Sequence, residues 1–182
     1  MGFATAESFG PSIDGIDFDI SQQFGTPLGQ LTLQGNATYN LDFSQRITSG
    51  SPKQNLLNDV GQPVDLRLLA SATLVTGGLT TSLRANYVHG YPNRFSSLQT
   101  DVGSWTTLDL FVSYDFDGHA SPFAGTEVSL GIQNLLDREP PFVAVGGILG
   151  GTPQGLVAPY GFDPVNANAL GRFFSLQISK KW

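Results

Sequence analysis

Leu31–Ser44 reads LTLQGNATYNLDFS. Its odd positions are Leu31, Leu33, Gly35, Ala37, Tyr39, Leu41 and Phe43, and its even positions are Thr32, Gln34, Asn36, Thr38, Asn40, Asp42 and Ser44. A helix turning every ~3.6 residues cannot keep these two sets apart, whereas a strand sends successive side chains to opposite faces. At ~3.4 Å per residue the run outreaches the ~17–20 Å strand usual in globular proteins.

The alternation recurs on both sides of this stretch. In Gly15–Phe24, Ile16, Phe18, Ile20 and Phe24 oppose Asp17, Asp19, Ser21 and Gln23. Val64–Val75 sets Val64, Leu66, Leu68, Ala70, Ala72 and Leu74 against Asp65, Arg67, Ser71 and Thr73. Leu79–His89, Trp105–Phe116 and, more weakly, Glu127–Leu135 follow the same rule. The end of the chain, Leu170–Trp182 (LGRFFSLQISKKW), puts Phe174, Leu176, Ile178, Lys180 and Trp182 opposite Phe173, Ser175, Gln177, Ser179 and Lys181. About seven long strands result, each with one apolar and one polar face. That is the pattern of a stave in an outer-membrane β-barrel, with the terminal ring suited to the lipid–water boundary.

Connections alternate too. Short links lie at Gly25–Gly29, Gly77–Gly78 and Asp117–Gly125; long ones run Thr48–Pro63, Gly90–Gly103 and Asp137–Ala169. Short periplasmic turns and long extracellular loops are the barrel arrangement, and on that orientation the last strand descends to the periplasmic face. Gly77–Gly78 suits a two-residue hairpin.

Composition agrees. Charged residues form 13% of the 182, about half the ~25% of soluble domains, with 22 glycines, 11 prolines and no cysteine. Disulfides and cysteine-ligated metals are thereby excluded. No run approaches the ~20 apolar residues of a membrane helix, so a membrane-spanning reading requires a closed barrel. Nine basic residues face 15 acidic ones without clustering, which argues against nucleic acid as a partner. Met1–Gly15 shows no basic-then-apolar secretory pattern, so residue 1 is expected not to be the natural start. Seven strands do not close a single-chain barrel, which needs an even number from eight upwards. Either a strand hides in Met1–Ser12 or the chain is the tail of a larger barrel.

Two motifs favour the tail. NLLDREPPF (Asn134–Phe142) follows a strand, and FDPVNANALGRFF (Phe162–Phe174) leads into the last one. Asn134, Leu135 and Asp137, then Phe162, Asp163, Pro164, Leu170, Gly171, Arg172 and the terminal Trp182, resemble the C-terminal end of TonB-dependent outer-membrane receptors. GIDFDIS (Gly15–Ser21) with the Leu28–Phe43 run looks like that family's preceding hairpin. The resemblance implies an all-β fold: an antiparallel transmembrane β-barrel segment, the last part of a 22-stranded barrel. Residues 1–182 are then the C-terminal barrel portion, with no plug domain. Phe174 and Trp182 belong to its barrel-terminal strand. The implied activity is uptake of a bulky nutrient (ferric siderophore, cobalamin or oligosaccharide). The implied partners are outer-membrane lipid, the remaining strands, the plug, a small-molecule or glycan ligand, and the TonB complex acting through the plug.

No catalytic constellation emerges, no cofactor is expected, and the protein is read as a non-enzyme. His89 and His119 fall at opposite ends of the sheet and serve as solvated residues. Asp163, Asn166 and Asn168 carry alternate oxygens, but lack the Gly and bidentate Glu of a calcium loop; turn hydrogen bonds beside Pro164 suffice, and no metal is expected. Asp17, Asp19, Arg67, Arg84 and Asp109 should face the lumen, with Asp115 beside them. Gly146–Gly151 (GGILGG) lacks a phosphate-loop context and reads as a flexible loop. Phe142, Tyr160 and Phe162 are the candidates for meeting a ligand from outside. The competing reading is a self-contained small barrel acting as a porin or anchor.

Overall fold

The computed structural model describes residues 10–48, 50–96, 99–116, 123–144 and 161–181. Seven long strands run β1 (Gly10–Thr26), β2 (Gly29–Arg46), β4 (Leu66–Thr76), β5 (Leu79–Val88), β8 (Trp105–Asp115), β9 (Thr126–Gln133) and β10 (Phe173–Lys180). Three two-residue pieces decorate the long loops: β3 (Gln54–Asn55), β6 (Tyr91–Pro92) and β7 (Asp101–Val102). The long strands pair in chain order, each antiparallel to the next, and β3 adds to β2. The sheet is open, with β1 and β10 as its edges.

Register turns the sequence alternation into two continuous faces. One row runs Ile20, Gly35, Ala70, Ala85, Leu108, and its neighbour runs Leu33, Ala72, Leu83, Leu110, Ile132, Phe174. The opposite face carries Gln34, Ser71, Arg84 and Asp109 in one row. Apolar side chains such as Phe18, Leu33, Leu83 and Ile178 stay exposed, with no second layer over them. A soluble sandwich would cover that face; lipid is the solvent that suits it. From Leu31 to Leu41 the apolar side of β2 is about 34 Å long at ~3.4 Å per residue. At a strand tilt near 40° that is about 26 Å of height, matching an apolar band of ~25 Å.

Two features differ from the sequence expectation. β4 starts at Leu66 rather than Val64. The Val64 carbonyl accepts a hydrogen bond from Asn40 Nδ2 (2.7 Å), and the Val64 side chain is fully buried with Val60, Val88, Tyr91, Val102 and Val143. Its place in the alternating pattern is an accident of a loop leading into a strand. β1 reaches back to Gly10, past a register shift between Asp14 and Gly15, so the described part of Met1–Ser12 extends an existing strand rather than forming an eighth.

The short connections sit at one end. At Gly29 (φ +137°) a Cβ would lie 2.1 Å from the Val75 carbonyl oxygen, and at Gly78 one would lie 2.4 Å from that of Asp115. These close approaches let neighbouring hairpins pack side by side at their turns. Tyr114 and Phe116 meet edge to face at 4.7 Å near this end, and Phe116 meets Phe123 at 5.9 Å, a small aromatic cluster of the type found at membrane interfaces.

Candidate functional site

The polar face and the three long loops folded over its far end form the candidate site. Asp17, Asp19, Arg67, Arg84 and Asp109 share this face. Asp17 accepts from Thr38 Oγ1 at 2.7 Å, and Asp19 accepts from the Asn36 amide. Asp109 accepts twice, through Oδ2 from Asn86 Nδ2 and through Oδ1 from the Asn134 N–H, both at 2.9 Å. Arg84 lies opposite Asp109 in register, and the two form no ion pair. Asp115 lies on the same face opposite Glu127.

Asp163 ties the loops together. Its Oδ2 accepts from the Gly61 N–H (2.9 Å), the Tyr91 hydroxyl (2.7 Å) and Asn166 Nδ2 (2.8 Å), and its Oδ1 accepts from the Val165 N–H (3.0 Å). The residue is 1% exposed. The bond to Gly61 crosses 102 positions of chain. Burial, and then the hydrogen bond to Asp163, push the Tyr91 phenol well above its ordinary pKa. Pro164 opens a turn in which the N–H groups of Asn166 and Ala167 return to the Asp163 carbonyl. Asn166 donates to Gln62 O and accepts from Arg67, while Asn168 Oδ1 accepts from the Leu170 N–H. These three oxygen-bearing side chains are thus engaged in turn and loop bonds rather than grouped around one point. No cluster of three His, Asp or Glu able to hold a metal occurs among the described residues.

The second motif closes the neck of the last loop. Asn134 (φ 49°) and Asp137 (φ 54°) both adopt the left-handed conformation that short polar side chains tolerate. Asn134 Oδ1 accepts from the Arg138 N–H and its Nδ2 donates to Arg138 O and Leu170 O, while Asp137 Oδ1 accepts from the Arg172 N–H at 2.7 Å. At Gly171 a Cβ would sit 2.8 Å from Asp137 Oδ1, so glycine leaves room for that contact. Phe174 faces outward on the apolar side, paired with Ile132.

The aromatic ligand candidates divide. Phe142 is exposed at the loop surface and Phe162 is partly buried beside Asp163. Tyr160, Trp182, His119 and Gly146–Gly151 lie outside the described residues. His89 does not stand alone in solvent: its Nδ1 lies 2.7 Å from Asp65 Oδ1 at the loop end of β5. Residues the sequence did not flag include Trp105, Tyr91 and Gly61. Trp105 packs on the small valine cluster, and its indole N–H is buried without a hydrogen-bond partner among the described residues. A cavity of about 480 Å³ lies between the polar face and Pro164–Gly171, lined among others by Arg67, Trp105, Thr107, Asp109 and Asn168.

A meandering sheet with one bare apolar face, one polar face, and all its long loops gathered at one end defines a wall segment of an outer-membrane β-barrel. The family model described as TonB dependent receptor-like, beta-barrel matches residues 4–135, and the chain belongs to that family. Its members are bacterial outer-membrane proteins with a receptor-type transport role. No curated protein and no solved structure matches the chain.

Proposed function

We propose that this chain is a stretch of the wall of a larger receptor barrel that draws a bulky nutrient through the outer membrane. The two sheet edges carry the reading. With seven antiparallel strands β1 and β10 run the same way, and they are unequal, at 17 and 8 residues. Joining them would make a parallel seam, whereas single-chain bacterial barrels alternate and hold an even number of strands. Bare edges are not tolerated in hydrocarbon. The proposal therefore places an odd number of further strands between β10 and β1, with a plug in the enclosed lumen through which the TonB complex acts. Asp17, Asp19, Arg67, Arg84 and Asp109 then line that lumen, and Phe142, Phe162 and Tyr160 face incoming ligand. The nutrient is a ferric siderophore, cobalamin or an oligosaccharide. An eight-stranded porin or anchor needs an extra strand antiparallel to both edges, and the unequal edge lengths weigh against it.

The chain has no native cysteine, so single cysteines report cleanly. In outer membranes, Leu83→Cys should react with a bilayer-confined maleimide, and Ser82→Cys with a water-soluble one entering the lumen. The same reagent preference at both positions sinks the wall reading.

A further inference from the structure

We propose that one ordered water molecule bridges the Trp105 indole to Asp163 and Asn166, and so fastens the first residue of β8 to the common root of the long loops. Trp105 stands between two spaces. One is the wide cavity of about 480 Å³ beneath Pro164–Gly171; the other is a narrow space of about 10 Å³ on the side of Tyr91, Asp163 and Asn166. The indole nitrogen is buried, whereas a nitrogen turned toward the wide cavity would be open to solvent. Its N–H therefore points to the packed side of the ring, where the narrow space lies. Among the described residues that N–H has no hydrogen-bond partner. A buried donor left in this condition has lost its hydration for nothing, and such groups are uncommon in folded proteins unless an acceptor is supplied.

The narrow space meets both conditions for a buried water. Its volume is that of about one water-sized sphere, the ~10–15 Å³ at which a site first admits a molecule. Its wall also carries polar groups of the right sense. Trp105 offers a donor. Asp163 Oδ1 accepts one bond, from the Val165 N–H, and Asn166 Oδ1 accepts one, from Arg67, so each oxygen keeps a lone pair. Water accepts from the indole and donates to both oxygens, which makes about three bonds, the usual number for a buried water. Other small occupants fit worse. A cation is repelled by the N–H, which has no lone pair to offer, and an anion by the Asp163 carboxylate. The bridge gives Trp105 work beyond its packing on the valine cluster. Gly61 and Tyr91 reach Asp163 Oδ2 from two other loops, and Arg67 on β4 ties Val165 and Asn166 to the sheet. The water adds β8 as a second anchor, through a ring that also walls the wide cavity.

The bridge needs only the described loops, whatever the size of the barrel around them. It is tested on the full-length protein purified from outer membranes, by a structure at a resolution that shows ordered solvent. We expect a water peak within hydrogen-bond reach of Trp105 Nε1 and of Asp163 Oδ1 or Asn166 Oδ1. Trp105→Phe keeps a ring but removes the N–H, and in that variant the peak should be lost. The unsubstituted protein decides the matter by itself where the variant does not fold. An unfilled space, a side chain from elsewhere in the protein occupying it, an indole N–H that donates directly to a protein atom, or a peak kept at full occupancy in Trp105→Phe overturns the bridge.

Discussion

At the scale of single residues, Asp163 has the most distinctive surroundings. Its carboxylate is buried with four donors, two of them on other long loops. Asp163→Ala leaves those donors without an acceptor, and about 3 kcal/mol or more of local stability should be lost. Protease nicking of the loops in intact membranes would rise sharply, while the sheet stays resistant; unchanged nicking refutes the tie. Tyr91 adds a pH dependence. Its phenol titrates above the ordinary ~10. Once pH exceeds that ordinary value the unfolded chain gives up a proton that the folded chain keeps, so stability is whole below ~10 and falls as pH climbs beyond it. Loop nicking should therefore increase above pH ~10, and less steeply in Tyr91→Phe. None of this was legible locally. Asp163 beside Pro164 announced a turn, but nothing near it in sequence names Gly61 or Tyr91 as its partners.

At the scale of the element, the strands were legible because the dyad period is a local property. All seven appear where the alternation places them, with ends that move by up to two residues, as at Val64 and Leu135, and an earlier start at Gly10. The Val64 error has a physical cause. Asn40 captures its carbonyl, and a hydrophobic residue at the right parity can enter a loop core as easily as a lipid face. Face assignment gives a paired prediction. Leu83→Arg, at mid-height on the apolar side of β5, should cost about 2–4 kcal/mol, and Ser82→Arg, on the opposite face, much less. Urea midpoints of the folded band of the whole receptor on semi-native gels would show the difference; equal costs would put the two side chains in the same surroundings.

At the scale of the whole molecule, edges dominate. The sheet has two, they run in the same direction, and no rearrangement of the described strands satisfies both. The isolated 182-residue chain is expected to yield no compact heat-modifiable monomer in detergent. Co-expression with the further strands that the proposed wall reading requires should restore one, and a compact monomer formed by the chain alone would favour the small-barrel reading. The segments Asn134–Asp137 and Asp163–Arg172 stood out in the sequence, yet their work was not visible there. They cinch the neck of the last loop and fold it over the polar face, a role set by contacts across the fold.

The shared tether at Asp163 also bears on how such a receptor can change over generations. On the proposed receptor reading, a shift to a new cargo is expected at the outermost tips of the loops, since one alteration at their common root would slacken all three together.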